Sequence, residues 1–378
     1  EHQIQHNRSR RRRRRLQHAE GVRELVGRLR HPVSGQPLAE FAHSPLNPSC
    51  APGMDWQAVW AEMPAPCDPA RGGRLCVASM ALPSALLSPS EVSPRAARKR
   101  VQVASFAIVL RHLLGGWGNV ASARAAKVVD FGCGSGNLLL PLASLFPKCT
   151  FEGVDMKKVS VDLLNERARD AGLPNATGRV GSIEDFSGSF DIALGLHACG
   201  AATDYAMEKA VGSGAAYVMC PCCVGKLKFG GSSKGPIVMD NRETGISDGE
   251  EEVGCRGPRS SWLGGTLDLN EFEVLATAAD YSHTDGHGYH ETAEQAKTCI
   301  ELDRNRSAAE NGYATVLTKL LGADGDEFVN KSDVLVGAPS SRVEDGAFGW
   351  PWLRLSEPSH DVAGADSAPD MAAATAGP

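Results

Sequence analysis

Asp130-Phe131-Gly132-Cys133-Gly134-Ser135-Gly136-Asn137 follows the apolar pair Val128-Val129. That order is a buried strand running out into a glycine turn, with a helix starting behind it. Glycine lets the main chain approach a ligand where a Cβ would collide, and the acid ahead of the turn can meet an ammonium group, directly or through water. The same acid would repel a pyrophosphate. The spacing also differs, G-x-G-x-G in place of the G-x-G-x-x-G that brings a pyrophosphate to a helix N-terminus. Cys149 to Val154 predicts the next strand, ending in Asp155, whose carboxylate is placed to accept the hydrogen bonds of a ribose diol. Both nucleotide classes share that second acid, so Asp130 is what selects S-adenosyl-L-methionine over a nicotinamide cofactor. The predicted cofactor set is Asp130, Phe131, Gly132, Cys133, Gly134, Gly136, Asn137, Asp155 and Met156, with Ser182 and Ile183 from a later loop.

Outward from the turn, apolar runs alternate in a strand and helix rhythm. Strands are predicted at Lys127 to Phe131, Cys149 to Asp155, Thr177 to Ile183, Phe190 to Leu196 and Ala215 to Cys220. Helices are predicted at Asn137 to Phe146, Lys157 to Ala171, Thr203 to Val211 and Asn270 to Ala279. A short helix at Glu291 to Lys297, a strand-like Thr298 to Leu302 and a helix at Arg304 to Asn311 precede Tyr313 to Leu321 and Val334 to Val336, a closing antiparallel pair. This is α/β: a Rossmann-like, mostly parallel sheet with helices on both faces and a closing antiparallel strand. Ser93-Pro94 combines N-cap chemistry with proline at the first helical position, and the helix it opens carries Arg95, Arg98, Lys99 and Arg100 in its first turns. That cluster can contact phosphate or simply be a solvated face.

The predicted organisation is an arginine-rich, disordered segment over 1–48, an extension over 49–92, a methyltransferase-type domain over 93–340 and a disordered tail over 341–378. Within the domain, the Gly-, Ser- and acid-rich stretch at about 229–261 reads as a mobile insertion. A modest helical pattern runs through Leu16 to Leu29 behind the Arg10 to Arg15 run, which fits a nuclear address, a nucleic-acid arm or part of a presequence. The chain carries a formal charge of −6, yet its first 30 residues hold ten arginines against three acids. The remainder is therefore acidic, and a polyanion must be gripped by local basic patches. No span is apolar and long enough to cross a bilayer. Eleven unevenly spread cysteines do not form a secreted disulfide framework, so a reducing compartment, the cytoplasm, is expected, with nucleus and organelle left open. Trp350-Pro351-Trp352-Leu353 in the tail either packs on the domain or docks a protein partner, as the arginine run can.

Ligands of an open parallel sheet gather at the carboxyl ends of its strands. Gly181-Ser182-Ile183-Glu184-Asp185 can read an adenine edge there. Gly195-Leu196-His197-Ala198-Cys199-Gly200 puts an imidazole and a thiol where methyl acceptors lie, and Thr203 or Asp204 can cap the helix behind it. His197 is a general base, a hydrogen-bonding positioner or a structural residue. For Cys220-Pro221-Cys222-Cys223 three readings stand: attack on a pyrimidine ring, zinc held by Cys199, Cys220, Cys223 and His197, or small apolar packing around a bound substrate. The last is the one expected, with His197 as catalytic residue, Cys222 and Cys223 lining the acceptor pocket, and no metal.

Leu196-His197-Ala198-Cys199-Gly200-Ala201-Ala202-Thr203-Asp204, Cys220-Pro221-Cys222-Cys223, Leu302-Asp303-Arg304 and Glu310-Asn311-Gly312-Tyr313 together resemble the methyltransferase domain of glutathione S-transferase C-terminal domain-containing proteins. The likeness covers about Ser93 to Pro339. The first two motifs also resemble, more distantly, the tRNA 2′-O-methyltransferases that act on the acceptor stem, which implies RNA as acceptor. Those enzymes continue the cysteine pair with histidines, whereas Val224-Gly225 follows here. Glutathione chemistry is not implied, since the region before Ser93 is short for a complete glutathione S-transferase domain. A non-catalytic scaffold with this fold is the alternative expectation, and an oxidoreductase a more distant one.

Overall fold

The computed structural model describes residues 20–46, 54–71, 93–115, 124–224, 227, 257–282, 290–321 and 328–344. The Arg10 to Arg15 run, most of the 229–261 insertion and the tryptophan-containing tail lie outside the described residues. In chain order the elements begin with helix α1 over residues 20–28, strand β1 (Ser44–Leu46), α2 (Trp56–Glu62) and α3 (Pro94–Leu113). Next come β2 (Lys127–Phe131), α4 (Leu139–Leu145), β3 (Thr150–Asp155), α5 (Lys158–Asp170), β4 (Ala176–Val180), β5 (Ile192–Leu196), α6 (Ala201–Gly212) and β6 (Ala216–Cys220). The chain continues with α7 (Ser261–Gly264), α8 (Leu269–Ala279), α9 (His290–Glu310), β7 (Tyr313–Leu321), β8 (Phe328–Pro339) and α10 (Ser340–Glu344).

The strands form one sheet in the order β1-β7-β8-β6-β5-β2-β3-β4. β2 pairs in parallel with both β3 and β5, and from that pair the chain winds outward in opposite directions, to β4 on one side and β6 on the other. The crevice between β2 and β5 is therefore the topological switch point, where such sheets bind ligands. β8 closes the sheet, antiparallel to β6 and β7. The predicted doubly wound sheet with its closing antiparallel strand is the one observed.

Alternate residues of the central strands feed two cores. Val128, Ile192, Leu194, Ala216 and Val218 join α3, α4 and α5 on one face. Val129, Phe131, Ala193, Tyr217 and Met219 join α6, α8 and α9 on the other. Burial on both faces is what a parallel sheet requires, and it explains why these strands read as unbroken apolar runs. Ser93 Oγ accepts from Ala96 N at 3.3 Å, so the predicted cap of α3 forms. Helix α6 departs from expectation, because Gly200 is its N-cap residue, while Thr203 donates to Ala198 O and Asp204 binds Arg304.

Two expectations fail for physical reasons. The three pieces predicted between Glu291 and Asn311 are one helix, α9, including the strand-like Thr298 to Leu302. It is buried on nearly every side, and its charged groups are paired internally. Lys297 bonds Asp333 and lies 3.4 Å from Glu301, and Arg304 meets Glu301 at 3.0 Å. The first 48 residues are not all loose. Val22, Leu25, Val26 and Leu29 of the α1 region pack into the same core as Phe131 and Leu335. β1 then adds an edge strand parallel to β7, and His43 ahead of it pairs with Asp333 at 3.1 Å. Leu29→Ala is expected to cost about 2 to 5 kcal/mol in denaturant unfolding, the usual penalty for emptying a filled core position; a change within experimental error would return this segment to the status of a tail.

Candidate cofactor and acceptor site

Asp130, the penultimate residue of β2, lies at the switch point, 2% exposed, and its Oδ2 has no hydrogen-bond partner among the described residues. Burial, with Asp155 nearby as a lesser cause, raises its carboxyl to about 8. A buried, unpartnered acid is costly until a cation neutralises it. A cationic amino-acid moiety supplies that charge and stabilises the ionised form, whereas a pyrophosphate would disfavour ionisation further.

The glycines of the turn divide into two kinds. Gly132 (φ 76°) and Gly134 (φ 52°) have left-handed backbone and no atom within 4 Å of where a Cβ would stand, so they border open volume. At Gly136 a Cβ would meet Leu164 and Leu140 at 2.9 to 3.0 Å, which makes this glycine a packing requirement of the helix behind the turn. Phe131 and Cys133 also face inward. Phe131 is edge-on to Phe186 and Phe190, and the Cys133 sulfur occupies the space a side chain at Gly153 would need. These two can offer a ligand only their main chain.

The turn is anchored from two sides. Gly134 N donates to Asp155 Oδ2 at 2.9 Å, while Asp155 Oδ1 accepts from Lys157 N at 2.8 Å. Each carboxylate oxygen keeps a second lone pair, so Asp155 can still accept from a ribose hydroxyl. Arg167 of α5, 1% exposed, donates to Ser135 O at 2.5 Å, Asn137 Oδ1 at 3.1 Å and Pro66 O at 3.0 Å. The Asn137 side-chain oxygen is thus engaged by Arg167, and Arg167 is a positioning residue absent from the predicted set. Its sequence signal was an arginine on the apolar stripe Val161, Leu164, Ala168.

Met156, 44% exposed, presents an apolar side chain directly after Asp155. Ser182 Oγ donates to Asp185 Oδ2 at 2.7 Å and accepts from Asp185 N at 3.1 Å, so this hydroxyl holds its own loop, and Ile183 is buried behind it. The residues present fit S-adenosyl-L-methionine: an unneutralised acid, two open glycines, a diol acceptor and an apolar shelf.

One strand over, the acceptor-side loops are stitched together. His197 N donates to Cys220 O at 3.0 Å and Gly200 N to Cys223 O at 2.9 Å. Arg304, 2% exposed, grips Asp204 with two bonds of 2.9 Å and donates to Gly200 O at 2.9 Å. Asp303 accepts from Arg259 N and Ser260 N at 2.7 and 3.0 Å. Within the Leu302-Asp303-Arg304 motif, Arg304 therefore holds the loop after β5 and Asp303 the segment leading into α7. His197 is exposed with φ 64°, the one non-glycine residue with left-handed backbone among those described. Such a conformation at a strand end is a common mark of a functional position.

The thiols regroup relative to expectation. Cys220 is fully buried in the sheet core and its thiol is pushed up to about 12 by burial, which is packing. Cys199, Cys222 and Cys223 are half-buried, with sulfurs all within 4.8 Å of one another. Of the basic cluster on α3, Arg100 is bound to Asp68 and lies over Trp60, leaving Arg95 and Arg98 exposed. A groove of about 320 Å³ between α6 and α9 is lined by groups already paired with one another, Arg304 with Asp204 and Arg259 with Glu208.

The fold is a Rossmann-like α/β sheet, and the residues at its switch point fit S-adenosyl-L-methionine. Residues 98–229 match the family model described as a methyltransferase domain. The chain is 28% identical over 262 residues to the glutathione S-transferase C-terminal domain-containing protein of Homo sapiens, covering 68% of this chain and 36% of that protein. Its Drosophila melanogaster homolog is 30% identical over 216 residues, 56% of this chain and 33% of that protein. The chain thus spans about a third of the length of these curated relatives. The resemblance to glutathione S-transferase C-terminal domain-containing proteins is borne out. A solved structure, PKMT2 from Rickettsia typhi in complex with AdoHcy, is 26% identical over 29% of this chain and 24% of that one, with a TM-score of 0.25. Among the described residues no helix is long and apolar enough to cross a membrane.

The raised Asp130 carboxyl has a consequence for stability. A folded-state value above the ordinary 3.8 favours the protonated form, so stability is fully present below 3.8 and is lost as pH rises to about 8. Melting of the ligand-free Asp130→Asn protein should show an advantage over wild type that widens across that window. A difference independent of pH would contradict an unpaired buried acid at this position.

Proposed function

We propose that the chain is an active S-adenosylmethionine-dependent methyltransferase whose acceptor is RNA, with tRNA-like substrates foremost. The observation that carries the reading is the unpartnered Asp130 carboxylate beside the open glycines 132 and 134, next to a braced loop presenting His197. When bound, the cofactor supplies an electrophilic methyl group. Asp130 neutralises its ammonium, Asp155 accepts from the ribose, Met156 covers the adenine and the main chain at Ile183 meets the adenine edge. His197, at the end of β5, takes the acceptor's proton or orients the acceptor, while Cys222 and Cys223 line its pocket. Most of the acceleration then comes from holding two reactants in line.

RNA is favoured by the likeness of the loops after β5 and β6 to tRNA 2′-O-methyltransferases and by the ten arginines of the first 30 residues. Arg95 and Arg98, exposed at the start of α3, are further phosphate contacts. The cytoplasm is the compartment proposed, and the arginine run or the Trp350 to Leu353 segment the means of holding a protein partner. A scaffold that keeps the fold without transfer is the competing reading.

Labelled methyl transfer from adenosylmethionine into the RNA, protein and small-molecule fractions of a cell extract separates these readings, with Gly134→Arg as control. The expected result is label in RNA that disappears with the variant. Label confined to protein would overturn the acceptor class, and label in no fraction would favour the scaffold.

A further inference from the structure

Five of the eight described cysteines, Cys67, Cys133, Cys149, Cys220 and Cys299, are buried as small apolar side chains. Cys199, Cys222 and Cys223 behave differently. They are half-buried and converge from two separate loops, Cys199 Sγ lying 3.1 Å from Cys222 Sγ. Packing needs no such convergence of three polarizable, ionisable groups at a partly open surface.

The backbone that brings them together is held on several sides. Left-handed conformations at His197 and Gly200 (φ 64° and 60°) turn the chain so that Cys199 faces the end of β6. The two backbone bonds from His197 and Gly200 to Cys220 and Cys223 tie that loop to its neighbour. Val224 N donates to Asp280 Oδ1 at 2.9 Å, Thr203 Oγ1 to Ala198 O at 2.5 Å and Arg304 to Gly200 O at 2.9 Å. Pro221 stiffens the segment further. A cluster braced in this way is preorganised, as a coordination site must be.

We propose that Cys199, Cys222 and Cys223 form a three-thiolate zinc site with its fourth position open. Zn²⁺ is a borderline-soft ion that accepts tetrahedral sulfur donors at about 2.3 Å, which places bound sulfurs about 3.8 Å apart. Sulfurs that already lie within 4.8 Å of one another reach that arrangement by small side-chain rotations. Each thiol gives up one proton to solvent on binding, so three protons leave as one ion arrives and zinc affinity rises with pH. The ligand set differs from the one spacing offered, because Cys220 is held in the core and Cys222 takes its place. The site stands at the carboxyl ends of β5 and β6, next to the strand bearing Asp130. The cluster therefore lies on the acceptor side, and water or a substrate heteroatom completing the shell would lose a proton more readily.

The proposal does not depend on methyl transfer, since metal content is read on the chain itself. The full chain, reduced, loaded with zinc and desalted, is expected to hold one zinc by elemental analysis. Cys199→Ser with Cys222→Ser should lower that at least tenfold while the circular dichroism spectrum stays unchanged, and Cys67→Ser should retain the metal. X-ray absorption of the wild-type zinc protein provides a reading free of any variant, with about three sulfur neighbours at about 2.3 Å expected. Cobalt in place of zinc should give the intense near-ultraviolet absorption of thiolate ligation. Failure to retain zinc, zinc undiminished in the double variant, or a first shell without sulfur would each overturn the site.

Discussion

An acid sealed at the centre of a parallel sheet, with no cation to neutralise it among the described residues, is the constraint on which this structure turns. Asp130 sits where β2 gives out, flanked by strands on both sides and roofed by a glycine turn. Remove the demand for a cation and the position would be filled at lower cost by an apolar residue. Much of the surrounding architecture serves the turn above it. Asp155 holds Gly134, Arg167 holds Ser135 and Asn137, and Cys133 fills the notch left by Gly153. The glycines bordering open space are those that no internal packing explains.

A second system of buried charge organises the acceptor side. Arg304 joins Asp204, Glu301 and Gly200 O, and Lys297 joins Glu301 and Asp333, so that one helix carries a chain of ion pairs between the β5 loop and the closing strand. Pairs of this kind add little net stability compared with apolar packing, but breaking one leaves an uncompensated charge. Their effect here is geometric, fixing α9 against α6 and holding the loop that presents His197 and Cys199. Rigidity in that loop fits either chemistry at its tip, positioning an acceptor or gathering thiols.

The strand and helix alternation was legible because parallel strands buried on both faces leave unmistakable apolar runs, and the glycine turn because few chemistries need an acid followed by three alternating glycines. Helix α9 was not, since periodicity reports a contrast between a wet and a dry face, and this helix has scarcely any wet face. The run Thr298 to Leu302 looked extended because its polar residues are themselves buried. Arg167 and Arg304 were visible only as charges in unexpected places, and their roles depend on partners up to 104 residues away. The grouping of Cys199 with Cys222 and Cys223 followed no linear spacing, because it arises from two adjacent strands ending at the same level. In the N-terminal stretch the arginine run masked the apolar spacing behind it, where Val22, Leu25, Val26 and Leu29 close one core.

Calorimetric titration of the full chain with S-adenosyl-L-methionine, set beside Gly134→Arg, tests whether the cofactor binds over the glycine turn. The open volume at Gly134 and the unneutralised Asp130 predict saturable binding at one site per chain and its abolition when an arginine side chain fills that volume and brings its own cation to the acid. Equal affinity in the two proteins would place the cofactor elsewhere and contradict the account.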